Sequence, residues 1–334
     1  MVTLAWHVKP LTELLSHRGH FPHSLLIHGP QGIGKVEFSY SLVQSLLCLA
    51  PVNHLSCQQC VACHWVAQRQ HPDLMILNIE GNVTLEEDAA EDKAKDKKST
   101  TINVDAVRDL GPFLTVGAQR NGYKIVLIEQ ADALNINAAN ALLKALEEPP
   151  PNVLFVLVAD QLKRLLPTIL SRCQKLALRA PNAKESCEYL KIPELEALSL
   201  LAVYGTPLNS KRALEQGVEK LRHSYLTLLT TPQVQLTELS VLAQKIPLEY
   251  WLDWTHKWCN DLISQYFLQK RFFHIDVAVN LPTVEKVIIF DLLAWEKQLK
   301  QAKRSLRHPL VPKLLIESLL IPWLSLNRSL YLNP

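Results

Sequence analysis

The sequence predicts an α/β domain built on a parallel sheet, followed by an all-helical remainder. Three observations carry that reading. Four short apolar runs alternate with helical patterns across the first half of the chain, a glycine-rich loop joins the first run to a helical segment, and no clear strand follows Pro181.

The first run is Ser24-Leu-Leu-Ile-His28, and Gly29-Pro-Gln-Gly-Ile-Gly-Lys35-Val36 follows it directly. This is the G-x-x-x-x-G-K-[ST] phosphate loop with its last position changed. In such loops glycines let backbone N–H groups approach phosphates, the lysine reaches the terminal phosphates, and the hydroxyl holds Mg²⁺. Gly29, Gly32, Gly34 and Lys35 keep the cradle. Val36 has no oxygen to offer a hard cation, so the loop is expected to accommodate ATP or ADP without supporting hydrolysis. From Val36 to Cys48 apolar residues recur at helical spacing at Phe38, Leu42, Val43, Leu46 and Leu47, giving the strand, loop, helix order the motif needs.

The remaining strands are predicted at Leu74–Ile79, Lys124–Ile128 and Val153–Ala159, with helices over Val104–Leu114 and Asn137–Glu148. Between Glu80 and Ser99 the composition turns to Glu, Asp, Lys and Ala, a solvated insertion to which no role is attached. The third run ends at Glu129-Gln130. In an active ATPase an acid at this strand tip engages Mg²⁺ and the next residue activates water. Glu129 stands in the first position, but Gln130 is an amide and no base. Val36 and Gln130 are thus two independent departures from one catalytic centre.

Cys48, Cys57, Cys60 and Cys63 have the spacing C-x8-C-x2-C-x2-C, which suits a closed tetrahedral zinc site of structural type. A loop with so little to bury gains order from such a metal, whose apparent binding energy is about 10–16 kcal/mol. The alternative is a set of free thiols, with His54, His64 and His71 as other ligands. Ser171-Arg172-Cys173 lies past the last predicted strand. Arg172 reads either as a cation at a helix end or as an arginine finger offered to another subunit's γ-phosphate, worth about 10³–10⁵ in rate.

Beyond Pro181 the chain is leucine-rich, with Pro193, Pro207, Pro232 and Pro247 marking breaks between helices. Trp251, Trp254, Trp258 and Leu262 recur on one helical face, which reads as packed core or subunit interface. The expected domains are residues 1–163, 164–215 and 216–334. A chain of 334 residues with 48% hydrophobic content sustains two or three domains, and its formal charge of +3 is too small to mark a nucleic-acid binder by itself. The first residues lack the pattern of a signal peptide, and Leu314–Leu326 is too short and too interrupted to span a bilayer. A cytoplasmic protein without membrane attachment is expected, and in that compartment seven cysteines favour metal ligation or buried thiols over disulfides.

Over roughly residues 20 to 180 the chain resembles bacterial clamp-loader subunits of the AAA+ class. The matching segments are the Gly29–Lys35 loop, the four cysteines, His71-Pro72-Asp73, Ile102-Asn-Val-Asp105-Ala-Val-Arg108, Asn140-Ala-Leu-Leu-Lys-Ala-Leu-Glu-Glu-Pro149 and Ser171-Arg172-Cys173, in that order. The last two are highly specific. The rest resembles the family through its helical character and the segment His308–Leu320. Motor subunits (gamma/tau) keep the Ser/Thr and the glutamate that Val36 and Gln130 replace, so the chain is more similar to the delta-prime branch of DNA polymerase III.

That resemblance implies an AAA+ P-loop domain with an inserted zinc module (48–63), a small helical lid domain and a C-terminal helical collar. It implies a scaffold within a five-subunit ring, with motor (gamma/tau) and delta subunits as partners, that loads the sliding clamp onto primed DNA. Arg172 would act in trans at a neighbour's ATP site, and zinc would fall on Cys48, Cys57, Cys60 and Cys63. Arg212, after Gly205-Thr-Pro207, is a candidate lid residue for a bound nucleotide. Two rival readings remain at this stage. One is an active ATPase of the motor type in which Asp132 or a water compensates for the missing groups. The other is a zinc-dependent DNA-binding protein, against which Cys57–Cys63 contains no Lys or Arg.

Overall fold

Five of the six strands in the central sheet run parallel, as buried apolar runs separated by helices should. The computed structural model describes residues 3–17, 21–79, 81–83, 101–119, 122–277, 286–306 and 311–332. Apart from residues 81–83, the charged insertion lies outside them. The chain divides into two compact units, Met1–Glu185 and Ser186–Pro334.

The first unit opens with α1 (Ala5–Ser16), β1 (Ser24–His28), α2 (Lys35–Leu47) and α3 (Val61–Ala67). Then come β2 (Leu74–Asn78), β3 (Gly81–Val83), α4 (Val104–Arg108), α5 (Leu110–Thr115) and β4 (Lys124–Ile128). It ends with α6 (Ile136–Glu147), β5 (Val153–Ala159), α7 (Pro167–Leu170) and β6 (Gln174–Ala177), and α8 (Ala183–Leu190) crosses into the second unit. The sheet order is β3-β2-β4-β5-β1-β6, with β3 antiparallel to β2. Side chains alternate between two cores. Leu25, Ile27, Ile125, Leu127, Leu154 and Val156 face the layer of α1 and α2, whereas Leu26, Val126, Ile128, Phe155 and Leu157 face that of α4 and α6.

The four predicted strands are present, the second one residue shorter than expected. Two more strands lie outside the apolar pattern: β6 is a mostly exposed edge strand, Gln-Lys-Leu-Ala, and β3 is three residues at the start of the charged insertion. The predicted helix over Val104–Leu114 is split after Arg108. Pro112 has no N–H and its ring crowds the carbonyl four residues earlier, so the helix restarts at Leu110. Asn103 and Asn135 cap α4 and α6, their side chains accepting from the Ala106 and Ala138 amides at 3.1 and 2.8 Å.

The second unit consists of α9 (Glu194–Tyr204), α10 (Pro207–Glu215), α11 (Val218–Leu229), α12 (Leu236–Gln244), α13 (Leu248–Leu268), α14 (Lys286–Ser305) and α15 (Pro312–Leu332). One apolar cluster runs through it from Leu200 to Leu330. The α13 stripe Trp251, Trp254, Trp258 and Leu262 is wholly buried there. Trp295 of α14 and Trp323 of α15 stack at 4.9 Å, their indole N–H groups donating to the Leu319 and Leu229 carbonyls. Among the described residues no helix is long and apolar enough to cross a membrane.

Arg222 of α11 is fully buried and donates to Glu219 at 2.9 Å and to Asp276, closing α11 onto the segment after α13. Replacing Arg222 with Ala strands both carboxylates and should destabilise the protein by about 3–5 kcal/mol, read as a lower urea midpoint. Beside it, burial and the nearby Arg222 charge push His274 down to about 3. Below pH of about 6.5 the unfolded imidazole takes up a proton that the folded ring refuses, so this contribution is intact above 6.5 and lost as pH falls toward 3. The expected slope, at most about 1.4 kcal/mol per pH unit, should flatten in His274→Gln when urea unfolding is followed by tryptophan fluorescence at pH 7.5 and 5.5.

Candidate functional site

Helix α2 joins two sites. Its first residue is the loop lysine, and its C-cap is Cys48. Cys60 caps α3 and Cys63 sits in that helix's first turn, so the C-x2-C spacing aims both sulfurs at one point. The sulfur separations are 3.5 Å for Cys48–Cys57 and 3.9 Å for both Cys48–Cys60 and Cys57–Cys63, and all four sulfurs lie within 4.8 Å of one another. Four thiolates around a tetrahedral zinc at about 2.3 Å would stand about 3.8 Å apart, so the donor set and its spacing fit zinc.

Backbone amides support the cluster. Cys57, Cys60 and Cys63 donate their N–H groups to the sulfurs of Cys48, Cys57 and Cys60. The amides of Gln59 and Cys60 hold the Cys57 thiol below its usual range. Burial acts upward on Cys60, but the Leu49 and Cys63 amides and the neighbouring thiols outweigh it and bring that group down to about 6. Buried Gln44 of α2 donates to the Cys63 carbonyl and accepts from Ser56, locking the module to the helix. None of His54, His64 and His71 joins the sulfur cluster. His71 instead accepts the Asp73 amide at the turn into β2.

At the other end of α2, Gly32 and Gly34 adopt left-handed φ values of 79° and 88°. Lys35 is 4% exposed, and its ammonium contacts the Gly29 carbonyl at 2.9 Å, the Pro30 carbonyl at 2.6 Å and Asp160 Oδ1 at 2.5 Å. An ammonium has three donors, and all three are engaged. Val36 packs against the apolar cluster under α2 and offers no metal ligand.

Glu129, at the tip of β4, is 7% exposed and already held. Its Oε1 accepts from Tyr40 Oη at 2.5 Å and lies 3.5 Å from Arg69 Nη2, while Asn78 Nδ2 reaches Oε2 at 3.4 Å. Burial and the adjacent carboxylate raise the Tyr40 hydroxyl, so it stays a proton donor to Glu129. Gln130 Oε1 is buried without a hydrogen-bond partner among the described residues. Asp132 accepts the Gln161 amide at 3.2 Å. With the metal ligand missing, the lysine saturated, the acid engaged and the base replaced, these residues do not fit a hydrolytic magnesium–nucleotide centre.

Arg172 follows α7. Its Nη1 donates to the Thr168 carbonyl at 3.0 Å and its Nη2 pairs with Glu147 at the end of α6, while Ser24 of β1 donates to its carbonyl. The side chain remains 33% exposed. Arg212, on α10 of the second unit, is exposed.

The family model described as "DNA polymerase III, delta subunit" matches residues 7–182, a span that holds every site residue above except Arg212. A DNA polymerase III subunit delta' from Pseudomonas aeruginosa is 35% identical over 337 residues, covering 95% of this chain and 96% of that one. The chain belongs to the delta-prime family of DNA polymerase III subunits. Two further delta-prime relatives are similar over shorter spans. The Haemophilus influenzae protein is 37% identical over 62% of this chain and 59% of its own, and that of Escherichia coli K12 is 36% identical over 54% and 49%.

For this delta-prime family member the sequence placed both sites but not their locks. The four cysteines converge, and Gly29, Gly32, Gly34, Lys35 and Val36 form one loop. Asp160, Tyr40, Asn78, Arg69 and Glu147 were not singled out. Asp160 alone had a local signal, a carboxylate directly after an apolar strand. Metal analysis of the purified chain should find one zinc per chain, and Cys60→Ser should lose it together with protease resistance of residues 49–60. Val36→Thr, which restores only the hydroxyl, should show no Lys35-dependent ATP turnover in a phosphate-release assay.

Proposed function

We propose that this protein is the non-hydrolysing scaffold subunit of a bacterial clamp loader, an AAA+ module that has given up its own ATPase chemistry and lends an arginine to a neighbour. The carrying observation is a contrast within one unit. Lys35 is sealed by Asp160 and the loop carbonyls, whereas Arg172 keeps a third of its side chain exposed. Membership of the delta-prime family supports the reading.

In this reading residues 1–163 form the nucleotide-binding-type domain with a structural zinc at 48–63, residues 164–215 a helical lid, and 216–334 the collar. The partners are the motor subunits (gamma/tau) and the delta subunit. The assembled ring acts on the sliding clamp and reaches primed DNA in the cytoplasm. ATP or ADP, where it binds, does so without hydrolysis and only once the Lys35–Asp160 contact has opened. Arg172 places its charge against the γ-phosphate of the adjoining motor subunit, where stabilising the transferring phosphoryl group is worth about 10³–10⁵ in rate.

The test is ATP turnover of the assembled ring, stimulated by clamp and primed DNA. Arg172→Ala should assemble normally and lower the turnover due to the adjoining site sharply, by about 10³-fold at that site. Unchanged turnover in a correctly assembled ring would remove the trans role. Lys35-dependent hydrolysis by the isolated chain would instead restore the active-ATPase reading.

A further inference from the structure

The bonds around Arg172 differ in kind. Nη1 donates to the Thr168 carbonyl and, at 3.4 Å, to Ser171 Oγ, both within four residues of the arginine itself. Such local bonds travel with the α7 turn and fix the guanidinium only relative to it. Nη2 pairs with Glu147 Oε1, on a different helix. Among the described residues this is the one polar side-chain contact of the guanidinium that reaches beyond its own turn.

Glu147 is well placed to act as a fixed point. It is the last residue of α6, whose buried face, Ala138, Ala139, Leu142 and Leu146, packs against the sheet. Glu148, Pro149, Pro150 and Pro151 follow, and successive prolines restrict how the chain leaves the helix. A guanidinium carries five N–H donors in a planar fork. Nη1 is hydrogen-bonded on the α7 turn and Nη2 stands in an ion pair with Glu147, while among the described residues no hydrogen bond engages Nε. The Nε–H and the Nη2–H beside it lie along one edge of the fork, the edge that meets two oxygens of a phosphate side by side.

We infer that Glu147 is a positioning residue for Arg172: its carboxylate holds the guanidinium by charge to the end of α6, while the Nε edge, which makes no hydrogen bond, serves a phosphoryl group presented by a neighbouring subunit. The inference rests on the trans role proposed for Arg172. Glu147 is 48% exposed and its partner 33%, so the pair contributes little to stability. Its consequence falls on geometry, where a small misplacement of a charge-stabilising group is costly in rate.

The experiment uses the full assembled clamp loader carrying wild-type chain, Glu147→Ala, Glu147→Asp, Arg172→Ala or the double variant Glu147→Ala/Arg172→Ala. Steady-state ATP turnover is measured with clamp and primed DNA present. Expected results are normal assembly and an unchanged melting temperature for Glu147→Ala, with kcat at the affected site lower by about tenfold and KM for ATP unchanged. Glu147→Asp, which keeps the charge, should recover part of the loss. In the Arg172→Ala background, removing Glu147 should have no further effect, because the group it positions is gone. Wild-type kcat in Glu147→Ala beside a loss in Arg172→Ala overturns the positioning role and leaves the trans arginine standing. An equal loss from Glu147→Ala in both backgrounds also overturns it, since the residue would then act elsewhere. No loss in Arg172→Ala overturns both.

Discussion

A buried ammonium with all three N–H bonds used inside the fold organises the first unit. Lys35 joins the loop carbonyls of Gly29 and Pro30 to Asp160, the residue after β5, so one side chain ties β1's loop, the start of α2 and the end of a neighbouring strand. Taking a charge out of water is tolerable only where its partners are in place, and here they are. Because Lys35 begins α2, the same contact fixes the helix whose other end supplies Cys48. The cysteine module is then positioned from two sides, by the amides that donate to its sulfurs and by Gln44 and Ser45 along the buried face of α2.

Glu129 tells the same story on the adjacent strand. A carboxylate at that tip can serve a cation or a set of donors, and here Tyr40, Asn78 and Arg69 surround it. Arg69 also lies over the Tyr40 ring at 5.2 Å from its centroid, so the tyrosine joins the carboxylate and the cation into one group. The group replaces a metal's charge with fixed protein donors. An engaged Glu129 and a saturated Lys35 therefore have a common effect: both polar residues are held by structure within the unit.

What the sequence disclosed, and what it withheld, follows from the range of each interaction. The strands from Ser24, Lys124 and Val153 were legible because burial on both faces demands continuous apolar runs. The cysteines were legible because two sulfurs three residues apart, with one at a helix N-cap, already point together. β6 was not, since an edge strand paired on one side needs no apolar run, and Gln174–Ala177 has none. Asp160 lies 125 positions from Lys35 in the chain and Tyr40 lies 89 from Glu129, separations at which no local pattern exists. Glu147 sat inside a recognised segment, yet nothing in that segment identifies its carboxylate as the partner of an arginine after another helix.

A loop with Val36 after its lysine still has structural uses for its glycines. A Cβ on Gly34 would stand 2.3 Å from Leu4 Cδ1 in a backbone conformation, φ 88°, that side chains resist, because the start of α1 lies against the loop and Trp6 donates to the Ile33 carbonyl. A Cβ on Gly29 would stand 2.6 Å from the Leu178 carbonyl oxygen, just past the edge strand β6. Neither contact involves a nucleotide. Packing of α1 and of the segment after β6 therefore gives Gly34 and Gly29 a structural role, beside the lysine's bonds to the loop carbonyls. The loop's shape is thus held from within the fold, by α1, by the Leu178 carbonyl and by Lys35.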